Sequence, residues 1–162
     1  MTRTILLLVL LAAVPAPALV TDDTPEQLRA KMAAETDLVR RARLAVKLAD
    51  FELESARKQF AEGYPEKGNE SLEEMLGHIE QAYTDLFATK RDPRKKPAGF
   101  KDIEIKLRSF HRRLDDMGTS LPLDERPPVQ KVVIRIAEIQ EDLLNGIMHV
   151  RDARGKKKGK KP

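Results

Sequence analysis

A long amphipathic pattern dominates the hydrophobic positions in the first half of the chain. From residue 24 to residue 62, apolar residues recur at alternating spacings of three and four, the period of one helix face, and Glu35 is the only interruption. These apolar positions are Leu28, Met32, Val39, Ala42, Val46, Ala49, Leu53, Ala56 and Phe60. Leu44, Leu48 and Phe51 form a second stripe on another face. The pattern predicts one long helix over 24–62 that must be covered from more than one side.

Three later segments carry the same period and predict helices over 65–90, 99–118 and 126–152. Turns containing glycine and proline separate these segments, and no stretch shows the alternation of a strand. Short connections favour antiparallel neighbours, so the predicted fold class is all-α, a four-helix antiparallel bundle within a domain over 19–152. A coiled-coil dimer built on the long first stripe is the alternative architecture.

The first eighteen residues have the composition of a targeting segment. Arg3 precedes ten apolar residues, 5–14, and Ala16-Pro17-Ala18 places small residues where a signal peptidase cuts. A membrane anchor is the alternative, but a spanning helix needs about 20 apolar residues. We therefore expect a signal peptide over 1–18, cleavage after Ala18, and a periplasmic or secreted protein.

Positive charge is concentrated in two short segments. The formal net charge is +4, yet residues 151–162 contain seven Lys and Arg against one Asp, so the predicted domain before them is acidic overall. The self-repelling tail over 153–162 is predicted to be disordered. A second basic cluster lies between the second and third predicted helices. The candidate anion-binding residues are Arg91, Arg94, Lys95 and Lys96 in this loop, and Arg154, Lys156, Lys157, Lys158, Lys160 and Lys161 in the tail.

These cations suit anionic lipid or an anionic cell-wall polymer as a partner. Nucleic acid is an unlikely partner for an exported protein. The alternative for the tail is a solubilising end that binds nothing.

Candidate catalytic and metal chemistry is sparse. The chain contains no Cys, which excludes disulfides, thiolate nucleophiles and Cys zinc sites. A di-iron bundle needs Glu three residues before its ligand His, and Met75, Arg108 and Gly146 occupy those positions. No Ser lies in a Gly-x-Ser-x-Gly motif. We expect neither an enzyme nor a cofactor. A periplasmic metal- or small-molecule-binding bundle that uses His78 or His111 is the alternative.

Two resemblances accompany these predictions. The segment Leu48-Ala-Asp-Phe-Glu-Leu, the turn Phe60-Ala-Glu-Gly-Tyr-Pro-Glu-Lys-Gly and Leu72 resemble a tetratricopeptide-type helical hairpin over 48–87, although its repeat does not recur. The overall layout is similar to that of exported bacterial helical proteins of unknown function. Neither resemblance supplies site residues. Together they imply an exported, non-enzymatic interaction or structural protein with an unknown protein partner.

Overall fold

The computed structural model describes residues 23–148, and this part of the chain folds into five helices without a strand. The helices are α1 (Pro25–Ala34), α2 (Leu38–Ala61), α3 (Pro65–Ala88), α4 (Phe100–Ser120) and α5 (Arg126–Met148). The all-α prediction is therefore confirmed. The predicted signal peptide over 1–18 and the predicted tail over 153–162 lie outside the described residues. No helix among residues 23–148 is both long and apolar enough to cross a membrane.

The single helix predicted over 24–62 is wrong, because the chain leaves the helix between Ala34 and Leu38. Glu35 has extended backbone angles, and its carboxylate accepts a hydrogen bond from the Asp37 N–H at 2.9 Å. The Asp37 carboxylate in turn accepts from the Arg40 N–H at 3.0 Å and caps α2. These side chains satisfy N–H groups that a continuous helix would bond to its own carbonyls, so capping outweighs the apolar period.

The break allows α1 to fold back along α2. Leu28 of α1 is 1% exposed and Leu48 of α2 is fully buried, yet neither belongs to the main core cluster. Arg29 then reaches Glu52 of α2 at 2.8 Å and Glu74 of α3 at 3.3 Å. Helix α1 thus lies along the part of α2 that carries Leu48, whereas Phe51 of the second apolar stripe is 39% exposed.

The four longer helices form two antiparallel hairpins. A short turn around Gly63, which has a φ of +80°, joins α2 to α3, and the Ser71 and Ser55 hydroxyls meet across them at 3.1 Å. In the second hairpin, the Gln140 side chain of α5 donates to buried Glu104 of α4 at 3.0 Å. The predicted helix ends at 90, 99 and 118 differ from the observed ones by one or two residues.

Equivalent helices of the two hairpins lie side by side and run parallel. Helix α2 contacts α4 through Arg43–Asp102 at 2.6 Å and, further along both helices, Arg113–Asp50 at 2.5 Å. Helix α3 contacts α5 through Arg135–Glu80 and Tyr83–Asp142. The apolar residues enclosed between the hairpins form one core, which includes Val46, Ala49 and Leu53 as predicted. This packing fixes the loop between α3 and α4 beside the start of α2.

One buried ion pair joins α2 to α3. Asp85 is 1% exposed, and its two carboxylate oxygens accept from the Arg41 guanidinium at 2.8 and 2.5 Å. Gln81 donates to the same carboxylate at 2.8 Å. The hydrogen bond to Asp85 raises the pKa of Arg41 above its already high value. Since the pair is bidentate and the Asp85 carboxylate is buried, loss of Arg41 would leave that carboxylate without its cationic partner.

We predict that Arg41→Ala destabilises the protein by on the order of 3 kcal/mol, because it leaves an uncompensated carboxylate in the core. The neighbouring substitution Arg40→Ala is the matched control, since the Arg40 side chain is 66% exposed and should change stability by about 0.5 kcal/mol or less. Urea unfolding of both variants measures the difference. Equal stability of the two variants would contradict the structural role of the Arg41–Asp85 pair.

Candidate anion-binding clefts

The loop over 89–99 connects α3 to α4 and is held by its own hydrogen bonds. The Thr89 hydroxyl donates to the Leu86 carbonyl at 2.6 Å and accepts from the Arg91 N–H at 3.2 Å. The Asp92 carbonyl accepts from the N–H groups of Lys95 and Lys96 at 3.1 and 3.0 Å. These contacts set the positions from which the basic side chains of the loop project.

Gly99 brings the end of this loop against α2. Its φ is +79°, and a Cβ at this position would lie 2.7 Å from Cγ1 of Val39. Both the backbone angle and the close approach require glycine. Phe100, which follows, is buried in the core, so the start of α4 is anchored beside the start of α2.

A cleft of about 470 Å³ lies between the start of α2 and the loop, and we call it the loop cleft. Its lining includes Arg40 and Arg43 of α2 and Arg91 and Lys96 of the loop, and Asp37 is the only acidic residue among the described residues that line it. The rest of the lining is Val39, Pro97, Ala98 and Phe100. Four cations therefore face one carboxylate.

A second cleft of about 520 Å³ lies between α1 and α2, and we call it the α1 cleft. Its lining consists of Lys31, Ala34, Glu35, Arg40, Arg43, Leu44 and Lys47. Arg40 and Arg43 thus belong to both clefts. The two clefts flank this pair of arginines, and each has an excess of positive charge.

Three of the cleft cations already form ion pairs. The pairs are Lys31–Asp23 at 2.5 Å, Arg40–Glu35 at 3.3 Å and Arg43–Asp102 at 2.6 Å. The three basic side chains are 55%, 66% and 46% exposed, and ion pairs so open to solvent contribute at most about 1 kcal/mol. A bound anion can therefore exchange with these carboxylates. Among residues 23–148, Arg91 and Lys96 take part in no ion pair.

The acidic residues beside the clefts are themselves engaged. The hydrogen bond from the Arg40 N–H lowers the pKa of the Asp37 carboxyl, so Asp37 stays ionised as the cap of α2. Glu35 accepts from the Asp37 N–H and pairs with Arg40. Both carboxylates are therefore bound by donors close to them in the sequence.

Two of the four loop residues predicted to bind anions line the loop cleft, and the other two do not. Arg91 and Lys96 line the loop cleft, whereas Arg94 turns back onto the Asp92 carboxylate at 3.1 and 3.2 Å. Lys95 is exposed and lines neither cleft. The predicted tail residues Arg154, Lys156, Lys157, Lys158, Lys160 and Lys161 lie outside the described residues.

The contributions of Lys31, Arg40, Arg43 and Lys47 were not predicted. The sequence pattern assigns these residues to a solvated helix face of mixed charge, and their side chains are indeed exposed. Their convergence depends on the break before Leu38, which creates a helix start beside the loop. The polar sequence Glu35-Thr36-Asp37, which can cap a helix, is the one local signal for that break.

The histidines give little support to the metal-binding alternative. Among residues 23–148, no group of three or more His, Cys, Asp or Glu side chains could hold a metal ion. Glu74, one turn before His78, is bound by Arg29, and Nδ1 of His111 lies 3.1 Å from the Asp115 carboxylate, one turn further along α4. His149 lies outside the described residues.

Comparison with known proteins adds no further constraint, since no family model, no curated protein and no solved structure matches this chain.

We predict that the melting temperature falls as the pH is lowered from about 7.5 to about 5.5 partly because of His78. Burial, followed by the charge of Arg29, lowers the pKa of His78 below its ordinary value. The unfolded chain then takes up this proton at a higher pH than the folded chain, so folding loses stability as the pH drops through the unfolded pKa. Thermal unfolding of His78→Gln should show a smaller decline than the native chain. An unchanged decline would show that the neutral form of His78 is not favoured in the folded state.

Proposed function

We propose that this chain is an exported, non-enzymatic helical interaction protein that binds anionic polymers or surfaces of the cell envelope. The observation that carries the proposal is the convergence of cations from α1, α2 and the loop on two clefts that share Arg40 and Arg43. In this proposal, α2 to α5 act as one four-helix bundle made of two antiparallel hairpins, which α1 covers on one side. The bundle is the scaffold that holds the clefts.

The chemistry of the cleft cations supports recognition of phosphate and carboxylate groups. Arginine presents a planar fork of donors that binds such oxyanions through paired hydrogen bonds. Arg91 and Lys96 form no ion pair among the described residues, so an anion does not have to displace a carboxylate from them. In the proposal, the basic tail adds long-range attraction to the same kind of partner.

The lining favours binding over catalysis. The described residues that line the two clefts include no Ser, Thr, Tyr or His. Their carboxylates, Glu35 and Asp37, are engaged in hydrogen bonds to backbone N–H groups near the helix break. The lining formed by the described residues therefore has no imidazole and no unengaged carboxylate, which are the commonest general acids and bases.

The proposal predicts that the double variant Arg91→Gln, Lys96→Gln binds anionic vesicles or long-chain polyphosphate about thirtyfold more weakly than the native chain at low salt. Each cation close to an anionic surface contributes on the order of 1 kcal/mol. Co-sedimentation measures vesicle binding, and fluorescence titration measures polyphosphate binding.

The matched control is Arg112→Gln, Lys131→Gln, which removes the same charge from exposed positions on α4 and α5. The control should keep nearly native affinity. Equal losses in both double variants would show that binding follows net charge and not the loop cleft. If the native chain binds neither anionic vesicles nor polyphosphate, the proposed function is overturned.

Export is a separate part of the proposal and has its own test. The apolar run followed by Ala16-Pro17-Ala18 supports cleavage after Ala18. N-terminal sequencing of the protein from its native host should therefore give Leu19 as the first residue. Recovery of a chain that keeps Met1 and fractionates with membranes would contradict export as a cleaved protein.

A further inference from the structure

We propose that the loop cleft and the α1 cleft form one continuous binding track for a linear polymer with phosphate in its backbone. This inference rests on the proposed function and specifies its ligand. The track runs from Lys31 and Lys47, past Arg40 and Arg43, to Arg91 and Lys96. A single phosphate would occupy only part of this path, whereas a chain of phosphates would meet each pair of cations in turn.

The spacing along α2 makes the track continuous. Arg40, Arg43 and Lys47 follow one another at intervals of three and four residues, which places them on one face of the helix. At 1.5 Å per residue, this row extends over about 10 Å of the helix axis. Arg40 and Arg43 line both clefts, so basic side chains continue from one cleft to the other. A bound polymer would exchange with the Glu35 and Asp102 carboxylates that pair with these arginines.

The position of the two clefts on either side of Arg40 and Arg43 favours a narrow chain over a bilayer. Each cleft is open to solvent and lies between α2 and a second element, which is α1 on one side and the loop over 89–99 on the other. A flexible strand can follow both clefts in turn, whereas a flat array of headgroups would meet the exposed cations from one direction. Volumes of about 470 and 520 Å³ fall within the range of ordinary ligand sites and accommodate short segments of such a strand.

The placement of the cations on facing walls favours phosphate over side-chain carboxylates. In the loop cleft, Arg40 and Arg43 come from α2, whereas Arg91 and Lys96 come from the loop. A phosphate polymer carries its charge on the backbone itself, with oxygens directed to both sides of the strand. An acidic polypeptide carries its charge at the ends of side chains, farther from the strand axis, which fits two facing rows of cations less well.

The test compares inorganic triphosphate with long-chain polyphosphate at equal total phosphate. The native chain should bind long-chain polyphosphate at least about tenfold more tightly per phosphate than triphosphate. The reason is that a polymer bound in one cleft is present at high effective concentration at the second cleft. Two double variants should each lose most of this gain in affinity. One is Lys31→Gln, Lys47→Gln, and the other is Arg91→Gln, Lys96→Gln. The control Arg112→Gln, Lys131→Gln should retain it.

Salt dependence gives an independent readout of the track. Each cation that contacts the polymer adds about 1 to the slope of log affinity against log salt, so each double variant of the track should lower the slope by about 2. All variants are full-length chains, and each is also made with Lys156, Lys157, Lys158, Lys160 and Lys161 changed to Gln so that the tail cannot mask the clefts. Circular dichroism and melting temperature confirm that these exposed substitutions leave the fold intact.

The outcomes separate the track from the proposed function. One outcome would refute the track and leave the loop cleft as an isolated anion site. In that outcome, the double variant Arg91→Gln, Lys96→Gln binds both probes more weakly by the same factor, and the double variant Lys31→Gln, Lys47→Gln binds both as tightly as the native chain. Polyglutamate that binds as tightly as polyphosphate would overturn the phosphate assignment. Anionic vesicles that lose affinity in both track variants more than polyphosphate does would assign the same cations to a membrane surface.

Discussion

The hydrogen bond from the Arg40 N–H to the Asp37 carboxylate determines where the two clefts lie. This bond caps α2 and, with the Glu35 contact to the Asp37 N–H, ends one helix and begins the next within three residues. Helix α1 can then fold back over Leu48, and the start of α2 is left facing the loop over 89–99. A continuous helix over 24–62 would carry α1 away from α2, and the α1 cleft would not exist.

Three arginines in the first turns of α2 face different surroundings, because successive residues point about 100° apart around the helix axis. Arg41 faces α3 and neutralises buried Asp85, which ties the first hairpin together. Arg40 and Arg43 point away from that pair and line the clefts. Stability and the proposed anion binding therefore depend on different neighbouring side chains, so substitution can alter the two properties separately.

The sequence is informative wherever burial alone determines structure. The apolar stripes of α2 to α5 predict these helices to within one or two residues at most ends, and Val46, Ala49 and Leu53 are buried as expected. The break at Glu35 was not predicted because Met32 and Val39 keep the apolar period on both sides of it.

Arg91 and Lys96 were predicted as anion-binding candidates from local charge. Their grouping with Arg40 and Arg43 arises from contacts between distant segments, above all Gly99 against Val39, which no local pattern encodes.

The proposed function depends on anion binding where the start of α2 meets the loop and α1. Mapping amide chemical-shift changes on isotopically labelled, full-length protein locates the bound ligand without a substitution. On titration with polyphosphate, we expect the largest shifts at residues 31–47 and 89–100, reversed by added salt as screening increases. Shifts confined to residues outside these two segments would contradict the account.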